Sequence, residues 1–103
     1  MTELTSPNIR LTASGEYEVD VPDLDVYRER VHSQPEGFTK KMVRSMTNAF
    51  PDKFNGPEEA FCVCDVFKSL IANGLSNGEK MSIEGLGTIA RDEQSHKIAF
   101  SPE

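Results

Sequence analysis

The residues best suited to chemistry are four cations in one short segment. Lys40, Lys41 and Arg44 stand near the predicted start of a helix, and Lys53 follows in the next loop. Unpaired N–H groups and the dipole at a helix N-terminus attract anions, so Thr39, the expected N-cap, and Lys40 are candidates for a phosphate contact. A solvated helix face is the alternative. Four such contacts would give weak, salt-sensitive binding that ignores nucleotide sequence.

A second set of cations lies near the C-terminus. Arg91 and Lys97, with His96 between them, flank a short predicted hairpin and could contact the same kind of polyanion. Asp92 and Glu93 lie between the two cations and nearly cancel their charge, so a neutral hairpin is the alternative.

No recognisable catalytic set is present. His32 and His96 are far apart, and no serine or cysteine has an evident base partner. Cys62 and Cys64 would point about 200° apart on a helix, which strains a disulfide, and a metal would need further ligands. We predict a protein without catalytic activity, cofactor or metal, whose cysteines are reduced and pack in the interior.

The first 37 residues predict a β-hairpin followed by a short helix. Apolar and acidic residues alternate on the far side of the turn dipeptide Ser14-Gly15, and apolar residues spaced by three and four predict a helix over residues 23–32. The segment Gln34-Pro35-Glu36-Gly37 interrupts both patterns. We therefore predict an N-terminal extension over residues 1–37 and a main domain over residues 38–103.

Two helices are predicted next. The first follows Phe38, which could staple onto the first turns, and stops at Pro51. The second begins near Pro57, where Glu58 and Glu59 suit a first turn, and ends at Asn77-Gly78. It carries one apolar face over about five turns, formed by Val63, Val66, Phe67, Leu70, Ile71 and Leu75.

Short strands complete the predicted α+β fold. Met81 and Ile83 alternate with polar residues, and Gly85 and Gly87 form a turn whose backbone angles favour glycine. Further strands are predicted over residues 88–92 and 97–100, joined by a turn at Gln94-Ser95, with residues 101–103 ending the chain.

Composition limits the class of protein. The chain has 103 residues, of which 37% are apolar, enough for one small domain. Its net charge is -6, with 11 Lys and Arg against 17 Asp and Glu, so no bulk attraction to nucleic acid or anionic membranes is expected. An apolar run of about 18 residues and a signal-peptide pattern are both missing, which predicts a cytoplasmic protein that does not bind membranes.

Residues 74–89 carry a family resemblance. The segments Asn77-Gly78-Glu79-Lys80-Met81 and Gly85-Leu86-Gly87-Thr88-Ile89 resemble the Asn-Gly turn and the Gly-x-Gly-Thr hairpin of the HU and integration host factor family of bacterial histone-like proteins. Thr39-Lys40-Lys41 looks like that family's opening helix, and Phe100 like its late core phenylalanine. The resemblance covers roughly residues 38–100.

The resemblance implies an intertwined homodimer with a two-helix base under a small antiparallel sheet. It also implies binding to duplex DNA in the nucleoid, with Lys40 against the backbone. The expected DNA contacts are Thr39, Lys40, Lys41, Arg44, Lys53, Arg91 and Lys97. The expected dimer core is Met42, Met46, Val63, Phe67, Leu70, Ile71, Leu86 and Phe100.

One departure from the family keeps two functions open. Family members insert a long basic β-arm into the minor groove, whereas residues 91–97 are all that occupy its place. The first hypothesis is therefore a non-catalytic DNA-binding protein that contacts the backbone without strong bending. The second is an acidic interaction module, or DNA mimic, that binds a basic protein or pairs with an HU-family relative.

Overall fold

The computed structural model describes residues 6–103 of the chain. Within this range the fold is α+β, with three helices and two small antiparallel sheets. The chain forms two compact units, one ending at Lys68 and the other running from Ser69 to Glu103. Their elements are β1 (Asn8–Leu11), β2 (Tyr17–Asp20), α1 (Asp25–Ser33), α2 (Phe38–Ala49), α3 (Pro57–Ser76), β3 (Met81–Ile83), β4 (Gly87–Arg91) and β5 (Ile98–Pro102).

The predicted N-terminal hairpin is confirmed. Strands β1 and β2 pair antiparallel with Ile9 opposite Val19. The guanidinium of Arg10 forms ion pairs with Asp20 and Glu18 across the hairpin. Arg10 and Asp20 have charged partners already, so this hairpin uses much of its charge internally.

Helix α1 begins at Asp25, two residues later than predicted. Asp23 and Leu24 instead form a turn. Their carbonyls accept hydrogen bonds from the N–H groups three residues further along, those of Val26 and Tyr27. Tyr27 on this helix is fully buried. The predicted extension therefore supplies a side chain to the core of the first unit, although the boundary after residue 37 itself stays a prediction.

The predicted N-cap of α2 is wrong. Gly37 occupies that position, and Thr39 lies one residue inside the helix, which begins at Phe38. Thr39 is only 7% exposed, and its Oγ1 accepts a hydrogen bond of 2.7 Å from Lys68 Nζ on α3. The hydroxyl therefore joins two helices, where the sequence suggested a cap.

The core of the first unit comes from all three helices. Partly buried apolar side chains pack against this core, among them Phe54 from the loop before α3. Within residues 6–103, every helix is too short or too polar to cross a bilayer. The buried core residues are Tyr27, Val43, Ala60, Phe61, Cys62 and Cys64.

Helix α3 starts at Pro57, as predicted, and ends in a glycine cap. Gly78 has a φ of 81°, its N–H bonds to the carbonyl of Leu75, and the N–H of Glu79 bonds to the carbonyl of Gly74. These two bonds satisfy carbonyls that the last turn leaves without helical partners. The predicted Asn77-Gly78 stop is confirmed.

The second unit contains the three-stranded sheet in the order β3-β4-β5. Strand β4 starts at Gly87, one residue before the predicted strand, and β5 extends through Pro102. Residues 101 and 102 therefore pair with β4 where the sequence predicted only a chain end. The N–H of Glu103 also bonds to the carbonyl of Leu86, and the Glu103 carboxylate accepts a hydrogen bond from the N–H of Gly85. Of the two glycines predicted in the turn, Gly85 lies in it, whereas Gly87 is the first residue of β4.

Candidate nucleic-acid interface

Two of the predicted phosphate contacts are held by one carboxylate. Glu36 lies just before α2, and its Oε1 is 3.2 Å from Lys40 Nζ while its Oε2 is 3.1 Å from an Arg44 nitrogen. The hydrogen bond from Lys40, and then the charge of Arg44, lower the pKa of Glu36. A phosphate that binds both cations must displace this carboxylate, which sequence reasoning did not identify.

Lys41 and Lys53 are exposed. Lys41 lies on α2, and Lys53 lies in the loop between α2 and α3. Within residues 6–103 neither side chain forms an ion pair. These two lysines are thus the cations of the first unit most open to a polyanion, while the buried Thr39 hydroxyl has no access to one.

The cations of the second unit flank a tight turn. The Asp92 carboxylate accepts the N–H groups of Gln94 and Ser95, and the backbone of Asp92 pairs with His96 and Lys97. Arg91 and Lys97 on either side are exposed. The predicted turn is confirmed, and it makes the connection between β4 and β5 short.

A shallow cleft beside this turn brings together more charged residues than the sequence indicated. Arg91 and His96 line it with Lys80, from the turn after α3, and with the acids Glu79 and Glu93. Lys80 was absent from the predicted contacts because its sequence position lies next to a turn, far from the hairpin. The positive and negative side chains that line the cleft nearly cancel in charge, so the cleft has weak selectivity for anions.

Four predicted dimer residues meet in one apolar groove of the first unit. Met42 and Met46 from α2 and Val63 and Phe67 from α3 line it, together with Phe38 and Cys64. Phe38 is 63% exposed, Phe67 57% and Val63 45%, so half or more of some side chains remains uncovered. The expected staple role of Phe38 gives way to a place at the rim of this apolar groove.

The other predicted dimer residues belong to the second unit. Leu86 and Phe100 are more than half exposed, as is Ile98, which sequence reasoning did not include. Leu70 and Ile71 are partly buried.

A buried polar cluster joins α1 to α3. Tyr27 donates a 3.0 Å hydrogen bond to Asp65, and burial, followed by this bond, raises the pKa of the Tyr27 hydroxyl. The Arg30 guanidinium lies 5.2 Å from the Tyr27 ring centre and 5.1 Å from that of Phe61, with Asp65 3.5 Å away. The cluster therefore links α1 to α3 through buried polar contacts.

The cysteines do not form a reactive or metal-binding site. Cys62 and Cys64 are free and buried, and burial raises the pKa of both thiols. At neutral pH both are therefore protonated and poor nucleophiles. No group of three or more His, Cys, Asp and Glu side chains in residues 6–103 could hold a metal ion.

Comparison with known proteins adds no family name. No protein-family model matches this sequence, and neither curated proteins nor solved structures give a match. The resemblance to the HU family therefore stays a prediction from the sequence, based on residues 74–89, Thr39-Lys40-Lys41, Phe100 and the order of helices and strands.

Proposed function

We propose that this chain is a non-catalytic, HU-like protein that forms a homodimer and binds the backbone of duplex DNA without reading its sequence. The apolar groove carries the proposal. Four side chains that were expected in a dimer core lie together in it, with Val63 and Phe67 exposed and Met42 and Met46 partly buried. A second copy of the same chain is the occupant that the resemblance implies.

The DNA part of the proposal depends on the cations of α2 and its following loop. Lys41 and Lys53 are open to solvent, and Lys40 and Arg44 become available when phosphate displaces Glu36. A dimer doubles this set and would supply the polyanion surface. The short hairpin carries no arm, so the proposed binding leaves DNA without a sharp kink.

Sedimentation tests the dimer. The wild type is expected to sediment as a dimer at micromolar concentration, and Phe67→Ser should weaken association by about tenfold or more because it removes a large apolar contact from each copy. Leu11→Ser is the matched control, since Leu11 is 53% exposed but lies on the hairpin. A wild type that remains a single chain would contradict the proposal.

Fluorescence anisotropy with a random duplex tests DNA binding at low and at physiological salt. Binding should weaken as salt rises, and Lys41→Ala should reduce the slope of log affinity against log salt by roughly one per lost contact. Arg28→Ala is the control outside the proposed contacts, since Arg28 lies on α1 and is paired with Asp25. Absence of binding at both salt concentrations would end this part of the proposal.

The ion pairs favour a second candidate, an acidic module that binds a basic protein. Glu36 covers two of the cations, Arg10 on β1 is paired with Asp20 on β2, and Arg28 is paired with Asp25 within α1. Under this candidate the wild type binds a lysine-rich model peptide, and neutralising Glu16 and Asp23 weakens that binding. Peptide binding without DNA binding would favour the module over the DNA-binding protein.

A further inference from the structure

A small pocket in the first unit lies directly beside the Glu36 ion pairs. Val31 and Gln34 of the α1 end, Val43 and Thr47 of α2, and Phe61 of α3 line it. Most of this lining is apolar, and Val43 and Phe61 are almost fully buried. Lys40 and Arg44 complete the wall, so an apolar interior adjoins two cations.

The volume of this pocket limits its ligand to one small group. It measures about 110 Å³, whereas an apolar cavity of roughly 150 Å³ is enough to hold benzene. One ring or one branched aliphatic group would thus fill the pocket and extend to its mouth. A nucleotide or a folded peptide would not enter.

The ion pairs indicate what the charged end of that ligand is. Lys40 and Arg44 each approach a different oxygen of the same Glu36 carboxylate, at 3.2 and 3.1 Å. Two cations arranged in this way recognise the two oxygens of one carboxylate. Glu36 lies just before the first residue of α2, and its side chain is 70% exposed. A competing carboxylate can therefore reach the same cations from solvent.

We propose that this pocket binds a small organic carboxylate whose apolar group lies against Val43 and Phe61 and whose carboxylate replaces that of Glu36 between Lys40 and Arg44. Apolar surroundings with a few well-placed polar groups are typical of small-molecule sites. Carboxylate binding at this pocket does not require that the chain bind DNA, although both proposals use Lys40 and Arg44.

Titration of the full chain with benzoate, followed by NMR of the valine and threonine methyl groups, tests the site. Benzoate should shift Val31, Val43 and Thr47 with a Kd on the order of 1 mM. Acetate lacks the ring and benzyl alcohol lacks the charge, so each should bind at least about fivefold more weakly. Shifts confined to other residues, or equal shifts with acetate, would overturn the proposal.

Charge variants separate the ion-pair role from simple packing. Glu36→Gln removes the competing carboxylate and should tighten benzoate binding by about threefold to tenfold, while Arg44→Gln in that background should reverse the gain. Glu29→Gln, an exposed position on α1, is the matched control. Equal benzoate affinity in wild type and Glu36→Gln would refute the displacement.

The same variants keep this inference distinct from the proposed DNA binding. Benzoate binding in a chain that fails to bind duplex would leave the pocket standing and remove the DNA proposal. Duplex binding without benzoate binding would do the opposite. Where both bind, added benzoate should weaken DNA binding in proportion to the fraction of chains that have benzoate bound, because Lys40 and Arg44 cannot contact both ligands at once.

Discussion

Replacing Tyr27 with Phe tests how α1 is held against α3. The Tyr27 side chain is fully buried, and its hydroxyl donates a 3.0 Å hydrogen bond to Asp65. Phe keeps the ring and its contact with Phe61, so the change removes the hydroxyl alone. A hydrogen bond to a charged group contributes about 1.5–3 kcal/mol, and we expect a loss of that size in the free energy of unfolding.

The pH dependence of this loss makes the test specific. The pKa of Tyr27 is raised in the folded state, so its contribution is complete below the ordinary tyrosine pKa of about 10 and is lost as pH rises toward the folded value. The advantage of the wild type over Tyr27→Phe should then shrink by about 1.4 kcal/mol per pH unit above pH ~10. Burial raises the pKa of both thiols, so the cysteines also destabilise the fold at alkaline pH; because a hydrogen bond to Tyr27 lowers the pKa of Cys62, the comparison is repeated in a Cys62→Ala background.

Urea unfolding followed by circular dichroism at a series of pH values measures both quantities. Tyr17→Phe is the control, since Tyr17 is the chain's other tyrosine and lies on the hairpin. Equal stability of wild type and Tyr27→Phe near pH 7 would refute the buried hydrogen bond. A difference that stayed constant up to pH ~11 would refute the raised pKa.

Three further predictions concern stability and reactivity. Gly87→Ala should destabilise the fold more than Gly85→Ala, because a Cβ at Gly87 would collide with the backbone of Ser101 and Pro102. A Cβ at Gly85 meets open space, so that substitution costs only about 1–2 kcal/mol for its φ of 81°. Thermal melts compare the two variants, and equal losses of stability would contradict the register of β5. Lys68→Met should cost about 1–3 kcal/mol because it leaves the buried Thr39 hydroxyl without its donor, and adding Thr39→Val should recover part of that loss in urea titrations. A thiol reagent should label the two buried cysteines at a rate that follows unfolding, so fast labelling of the native protein would contradict their burial.

Much of the fold follows from short-range signals. Alternating residues identified the hairpin, and proline and glycine set the ends of α3 because each acts on the local backbone. Thr39 failed as an N-cap because residue preference for caps is local, whereas its hydroxyl bonds to Lys68, 29 residues away. Strand β5 was predicted too short for a similar reason, since its final residues depend on pairing with β4.

The candidate interface was predictable in its members and not in their partners. Spacing placed Met42 and Met46 on one helix and Val63 and Phe67 on the apolar face of the next, because helix geometry repeats regularly, and the family resemblance grouped them as one dimer core. The ion pairs of Glu36 with Lys40 and Arg44 were missed although the three residues are spaced by four, which is the local signal that would have predicted them. The Tyr27, Arg30 and Asp65 cluster was missed because it joins residues as many as 38 positions apart.

Strand β5 has consequences for handling the protein in concentrated solution. All five of its residues are exposed, and it forms one margin of its sheet with Ile98 and Phe100 uncovered. A margin of this kind offers backbone groups and apolar side chains to any other extended chain, including those of partly unfolded copies. Partly unfolded copies would therefore be prone to precipitate through this margin, and folding at low protein concentration should improve the yield of folded material.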